Sequence, residues 1–329
     1  MNADVSSIGE LVVGNSASIQ KVRSLIRAVA QTNVPVVVQG PTGAGKEIVA
    51  QALHVASGRR GPFVPFNVCA IADSMFEDSL FGHVRGAFTG ACSDTPGYLA
   101  EANEGTILLD EIGGLPLSLQ SKLLRVIETG QFRPVGGRAD RRSNFRLVCA
   151  TNDNLSELVA RGLFRSDLLY RLRGVVITVP PLRERREDVR VLGEHFAASA
   201  AQIGNCRRRF TAAAFARLER HDWPGNVREL KHVMEFAFTV ASQGEVDVVH
   251  VNAALDQGEE ASFIRSDLGE EERSALIEVL ERHEWNTILA AKELGVSRKT
   301  VYERLRRLGV TLPRRYHRRS IRLVSLGVG

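Results

Sequence analysis

Apolar residues fall into two rhythms along this chain. Up to about residue 180 they come in short unbroken runs: VPVVVQ at 34–39, TILL at 106–109 and the stretch NFRLVCATN at 144–152. Runs of this kind, rich in β-branched residues, predict strands buried on both faces of a parallel sheet. The segment IVAQALHVAS, 48–57, reads as the helix that follows the first of them. Beyond residue 182 apolar positions recur every three or four residues. RVLGEHFAASAAQIG, TAAAFARLERHDW and NVRELKHVMEFAFTVASQG each predict a helix with one core-facing stripe, as Leu230, Val233, Met234 and Ala237 illustrate. His221 and His232 in this region read as structural.

Residues 256–272, DQGEEASFIRSDLGEEE, break the rhythm and read as an acidic, solvated linker. Helical spacing resumes in SALIEVLERHEWN and TILAAKELGVSRKTVYERLRRLGV. Ala290, Ala291 and Leu294 make a small apolar face, Gly295 makes a turn, and Ser297 is placed to cap a last helix. Val301, Leu305 and Leu308 would bury one face of that helix. Arg298, Lys299, Thr300, Tyr302, Glu303 and Arg306 are left outward. The pattern predicts a helix-turn-helix. A packed helical hairpin is the plainer alternative, and the outward basic residues argue against it.

Composition narrows the classes. The chain has 329 residues, 44% of them hydrophobic, enough for two or three domains. No apolar run reaches the length of a membrane span, and the N-terminus lacks the basic-then-apolar pattern of a signal peptide. A cytoplasmic protein is expected. Cys69, Cys92, Cys149 and Cys206 are far apart and form no CxxC pair, so buried reduced thiols are expected rather than disulfides or zinc. The net charge of +5 is uneven: residues 291–329 carry +9 and the rest −4. A basic end on a mildly acidic body points to nucleic acid. Its cations would grip phosphates, and a few outward side chains would read base edges.

The chemistry concentrates where the buried runs end. VPVVVQ leads into GPTGAGKE and then into a helix, the context a phosphate-binding loop requires. Gly40, Gly43 and Gly45 let backbone N–H groups face phosphates, the helix start adds its positive end, and Lys46 adds a full charge. Pro41, Thr42 and Ala44 complete the loop, and Glu47 stands where the general pattern has Ser or Thr. TILL ends in Asp110 and Glu111. Asp110 can position magnesium, directly or through water, and Glu111 can polarise an attacking water. NFRLVCATN ends in Thr151 and Asn152, a pair able to hold that water and sense the γ-phosphate. Arg165 and Arg171 lie six apart on a predicted helix with no obvious acidic partner. They read either as surface cations or as arginine fingers reaching a neighbouring subunit's nucleotide. The hexapeptide GAFTGA, 86–91, is left over: an aromatic ring between glycines fits neither a core strand nor a plain turn.

Taken together, GPTGAGKE, GAFTGA, ILLDE, ATN, FRSDLLYRL, PPLRERREDV and WPGNVREL resemble the AAA+ domain of bacterial enhancer-binding proteins. These are the NtrC-like activators of sigma-54 RNA polymerase. The resemblance runs from about Val12 to Leu255, and the helix-turn-helix resembles the Fis-type end of the same activators. It implies an α/β fold: a P-loop ATPase with a parallel-sheet core, a small helical lid and a C-terminal helix-turn-helix. Boundaries follow as 1–181 for the nucleotide-binding subdomain, 182–255 for the lid, 256–272 for the linker, 273–312 for the DNA-binding domain and 313–329 for a basic tail. ATP and Mg2+ are the implied cofactors.

By that resemblance Gly86, Ala87, Phe88, Thr89, Gly90 and Ala91 tip a loop that touches sigma-54, with Phe88 and Thr89 making the contact. Asn67 would restrain the catalytic Glu111, Thr151 and Asn152 would form the first sensor, Arg228 the second, and Arg165 and Arg171 would act in trans. Glu47 is usual in the family; Pro41 and Ala44 replace its common Glu and Thr. The expected function is ATP-dependent remodelling of a closed sigma-54 promoter complex. Expected partners are the holoenzyme, enhancer DNA, further copies of the chain from dimer to hexamer, a paralogue in mixed oligomers, and an inhibitor protein. The AAA+ core starts within the first dozen residues, so a stand-alone activator without a receiver domain is expected. The rival reading is a DNA-binding regulator whose ATPase serves assembly and never touches sigma-54.

Overall fold

The computed structural model describes residues 8–71, 73–204, 208–241 and 244–257, and in the C-terminal part 276–283, 285–294, 296, 300, 301 and 305. The chain divides into two compact units, residues 1–254 and 255–329.

The first unit is organised by β1 (Val36–Gln39), whose three valines are all buried. With β2 (Phe63–Asn67), β3 (Thr106–Asp110), β6 (Arg146–Thr151) and β7 (Val175–Thr178) it forms a sheet in the order β2–β3–β6–β1–β7. Every neighbouring pair is parallel. Alternate residues point to opposite faces. Val36, Val38, Leu108, Val148 and Ala150 join one core with α1 (Ala17–Val29) and α2 (Lys46–Ser57). Val37, Ile107, Leu109, Leu147 and Cys149 join the other. That second core is completed by α3 (Asp73–Phe81), α4 (Leu117–Thr129), α5 (Leu155–Ala160) and α6 (Ser166–Leu172). Cover on both faces is why the strands read as unbroken apolar runs rather than as alternating ones.

Between α4 and β6 the chain makes a hairpin of two-residue strands, β4 (Gln131–Phe132) and β5 (Arg141–Arg142). Strands this short carry no periodic signal. The lid follows as α7 (Glu187–Gly204), α8 (Ala212–Glu219) and α9 (Asn226–Val240). The stripe Leu230, Val233, Met234 and Ala237 is buried, as its spacing predicts. Trp223 is also buried and its Nε1 donates to Leu218 O at 3.0 Å, so the ring packs without leaving a polar atom unpaired.

The lid is tied to the loop at 40–45. Val227 N and Arg228 N donate to Gly43 O at 3.0 and 3.2 Å. Asn226 Nδ2 donates to Thr42 O at 3.0 Å, while its Oδ1 accepts from Leu182 N at 2.8 Å. Gly43 has φ +76°, and a Cβ there would lie 2.3 Å from Gly225 O. Glycine is required at this position twice over, by conformation and by space.

In the second unit Leu276, Leu280, Ala290, Ala291, Val301 and Leu305 gather into one small core. The helix α10 (Thr287–Glu293) begins at Asn286, whose Oδ1 accepts from Ile288 N at 3.0 Å. Thr300 is half-buried, not outward as the pattern suggests. Gly295, Ser297, Arg298, Lys299, Tyr302, Glu303, Arg306, Leu308 and the tail lie outside the described residues, as do Cys206 and residues 258–272 of the expected linker. Among the described residues no helix is long and apolar enough to cross a membrane. Cys149 is a buried free thiol, and burial pushes its pKa up. Cys69 and Cys92 are exposed, contrary to expectation, because Cys69 lies in the short 3-10 helix Val68–Ala70 after β2 and Cys92 in the loop after the hexapeptide rather than in a strand.

One buried cation marks the edge of the sheet opposite that loop. Arg146, the first residue of β6, has no exposed surface. Its guanidinium donates to Val29 O at 2.7 Å and to Ala30 O, and so caps the C-terminal end of α1. Burial pulls its pKa down to about 10. Arg146→Ala should therefore cost about 3 kcal/mol or more in denaturant unfolding, through lost partners and an empty site. Arg146→Met, which keeps the volume, should recover part of that loss. Gly43→Ala should lower the melting temperature of the first unit, since lid and loop cannot then keep their contact. An unchanged melting curve would show that this packing contributes nothing.

Candidate nucleotide-binding site and exposed loop

The turn after β1 ends at the start of α2. Gly45 caps α2 in a left-handed conformation, φ 105°, with no side-chain bond to the first turn of the helix. The first amides of α2 are thus left for an anion. Lys46 is 7% exposed, and its Nζ donates to Gly40 O at 3.1 Å and lies 3.6 Å from Glu111 Oε1. Ala44 is buried, Pro41 is half-buried, and Thr42 and Glu47 are exposed.

The other expected residues converge on the same sheet edge. Asp110 ends β3, and the next residue, Glu111, takes a left-handed backbone, φ 54°. For a residue with a Cβ this costs about 1–2 kcal/mol, a strain that functional sites retain. The turn aims Glu111 back across the edge: Oε1 faces Lys46, and Oε2 accepts from Asn152 N at 3.4 Å. Asn152 Nδ2 in turn donates to Thr42 Oγ1 at 3.3 Å. Thr151 is fully buried, and its Oγ1 accepts from Asp153 N at 2.9 Å. The ends of β3 and β6 and the glycine loop after β1 therefore meet within hydrogen-bonding reach.

No hydrogen bond joins Asn67 to Glu111. The register of β2 against β3 pairs it with Asp110, and its Nδ2 donates to Asp110 Oδ2 at 3.5 Å. Its Oδ1 accepts from Cys69 N at 2.9 Å and Ala70 N at 3.1 Å, which fixes its amide. The left-handed turn has carried Glu111 away toward Lys46.

The arginines also differ from expectation. Arg165 is the N-cap of α6, with an extended backbone, so its spacing to Arg171 is not helical. It has an acidic partner: Nε and Nη2 donate to the two oxygens of Asp167 at 3.1 and 2.7 Å. That pair raises the arginine's pKa and lowers the aspartate's. Arg171, in the last turn, is exposed and forms no ion pair among the described residues. The exposed Arg228 meets the loop through its backbone N, as described above.

Pattern reading passed over an apolar cavity of about 120 Å3 beside Gly45, with Val12, Ile48, Leu192 and Val227 in its wall. These residues come from four separate elements, so no local motif announces them. Asn226 and Arg185 were missed for the same reason. Arg185 is buried, and its Nη2 donates to Ala44 O at 2.8 Å. The donor set suits a nucleotide with Mg2+: uncapped helix amides and Lys46 for phosphate, and hard carboxylate oxygens on Asp110 and Glu111 for the ion. Among the described residues no group of three His, Cys, Asp or Glu forms a metal site by itself.

Away from this edge, GAFTGA forms a compact turn. Gly86 and Gly90 have φ +81° and +103°, and Gly86 N donates to Ala91 O at 2.9 Å. Phe88 is 47% exposed at the tip, its ring edge on His83 at 5.1 Å. His83 is itself held by Asp78 and by two backbone bonds to Thr95. The base of the turn is bonded to the β4–β5 hairpin, with Val84 N donating to Val135 O at 3.1 Å and Ala87 packed on Gly136. Ala91 is buried at 7% exposure and cannot meet a partner; it closes the turn beneath the tip.

Comparison with known proteins agrees with this geometry. Residues 12–178 match the sigma-54 interaction domain, 183–266 a AAA+ ATPase lid domain, and 268–308 the Fis family of bacterial regulatory proteins. Transcriptional regulator VasH of Vibrio cholerae is 46% identical over 241 residues, 73% of this chain but only 46% of VasH. The chain thus spans about half the length of that relative. DNA-binding transcriptional regulator NtrC of Rhizobium meliloti is 36% identical over 349 residues, 94% of this chain and 72% of NtrC. Among solved structures, NtrX from Brucella abortus in complex with ATP superposes with a TM-score of 0.67 at 34% identity, covering 93% of this chain and 72% of NtrX. Glycine loop, sheet edge, lid and exposed hexapeptide all lie within the matched segments, and the chain belongs to the family of sigma-54-dependent transcriptional regulators with a AAA+ domain and a Fis-type helix-turn-helix.

Proposed function

We propose that the chain is the motor of a sigma-54 activator. It binds ATP with Mg2+ at the sheet edge, hydrolyses it, and uses the cycle to drive Phe88 and Thr89 against sigma-54. The closed promoter complex is thereby remodelled to the open one. The observation that carries this reading is the half-exposed Phe88 at the tip of a turn between two positive-φ glycines, on the domain that holds the phosphate-binding loop.

Lys46, now bonded to Gly40 O and facing Glu111, would exchange these for phosphate oxygens. Glu111 would then be free to take a proton from the attacking water. Asp110 would hold Mg2+, which neutralises charge on the phosphates when bound. Asn67, bonded to Asp110, would position that carboxylate rather than restrain Glu111. Thr151 and Asn152 would report the γ-phosphate. Arg228 would reach the nucleotide from the lid. Arg165 and Arg171 would act on a neighbour's nucleotide in a ring built from dimers to a hexamer; Arg165 must first leave Asp167. The helix-turn-helix would bind enhancer DNA through Ser297, Arg298, Lys299, Thr300, Tyr302, Glu303 and Arg306. A paralogue in mixed rings and a separate inhibitor protein are further partners of this reading, and the cytoplasm is its place.

Two outcomes are expected. Glu111→Gln should bind ATP and slow its turnover by at least about a hundredfold in a phosphate-release assay. Undiminished turnover would remove Glu111 from the role of base. The second test mixes the protein, ATP and sigma-54 holoenzyme on a closed promoter and maps unpaired thymines with permanganate. Melting should require ATP and be lost with Thr89→Ala, whose ATPase activity should persist. Full melting with that variant would sink the loop assignment. Strong hydrolysis and DNA binding without any melting would favour the regulator that never touches sigma-54.

A further inference from the structure

Arg185 stands where the sheet domain passes into the lid. It closes the short 3-10 turn Leu182–Glu184 that follows β7, and it is 4% exposed. Its Nη2 is occupied by Ala44 O at 2.8 Å, on the phosphate-binding loop. Its Nε is buried and has no partner. Burial lowers the pKa of this guanidinium, and the nearby Asp188 raises it in part. That carboxylate does not serve Nε: its oxygens accept from Ser16 N at 2.8 Å and Ser16 Oγ at 2.6 Å.

A buried, charged N–H donor without an acceptor is costly, and native structures rarely leave one so. The same side chain forms part of the wall of the apolar cavity beside Gly45, with Val12, Ile48, Leu192 and Val227. Apolar walls exclude phosphate and accept a flat heterocycle. Such a ring needs one donor from the wall to fix its orientation.

We propose that Arg185 is a base-reading residue: its Nε donates to N3 or N7 of the bound purine while Nη2 keeps hold of Ala44 O. The inference rests on the ATP reading given above and names a contact within it. It differs in kind from the roles of Lys46, Arg165, Arg171 and Arg228, which address phosphates. One guanidinium would then join three things: the base, the phosphate-binding loop and the entry to the lid. The lid would be held in place more firmly when a purine is bound.

The full-length wild-type chain is titrated calorimetrically with Mg2+ and ATP, 7-deaza-ATP, 3-deaza-ATP and 2′-deoxy-ATP. One deaza analogue, lacking the acceptor nitrogen, should bind about tenfold more weakly than ATP or worse, and the other should match ATP. Arg185→Lys keeps a charge able to reach Ala44 O but lacks Nε. It should bind ATP about tenfold more weakly and no longer distinguish the deaza analogues. If both deaza analogues bind the wild type as tightly as ATP does, the inference fails while the ATP reading stands. A loss confined to 2′-deoxy-ATP would place the acceptor on the ribose and overturn it as well. Discrimination that survives intact in Arg185→Lys would do the same. Absence of any ATP binding by the wild type would overturn both readings. The wild-type comparison decides the question even if the variant fails to fold.

Discussion

The carbonyl of Gly43 accepts two backbone N–H groups from the start of α9. Much else depends on that contact. It sets the lid against the phosphate-binding loop using main-chain atoms only, so it tolerates no Cβ on the loop side. Asn226 reinforces it by reaching Thr42 O while holding Leu182 N at the lid entry. Arg185 reaches Ala44 O from the same entry. Three consecutive carbonyls of the loop are thus held by the lid. A change in how the loop is occupied therefore bears directly on the lid.

Electrostatics at the sheet edge follow the same economy. Lys46 and Glu111 face each other at 3.6 Å with little solvent around the amine. Each partly satisfies the other where a nucleotide would offer stronger partners to Lys46. Glu111 reaches this position only through its left-handed backbone, and Asn152 N meets its second oxygen there. In this arrangement the carboxylate that would act as base is also the one that faces Lys46. Taking up phosphate and releasing Glu111 would be one event.

The hexapeptide turn is rigid at its base and open at its tip. Backbone bonds to the β4–β5 hairpin, the packing of Ala87 on Gly136 and the burial of Ala91 anchor the base. Phe88 rests on His83 by a single ring edge. A ring so placed gains little from its own domain, since about half its surface stays in water. A ring in that position is accessible to another molecule.

Local chemistry made part of this molecule legible. The buried strands β1, β3 and β6, the glycine loop, Asp110 and Glu111, and the lid stripe Leu230–Val233–Met234–Ala237 all follow from short-range patterns, because composition and spacing over a few residues express burial and turn geometry directly. Strands β2 and β7 and the hairpin escaped, the first two because FVPFN and VVIT are brief and carry proline or polar members, the hairpin because its strands have two residues each. Contacts between distant segments were not legible at all. That Asn67 lies against Asp110 is set by strand register; that Arg185 and Asn226 grip the loop is set by how the lid folds back. The sequence by itself determined which residues are candidates for the chemistry, since charge and glycine content are local properties. Only the tertiary structure decided which of them meet, because contacts between residues 41 to 184 positions apart depend on packing that no local pattern encodes.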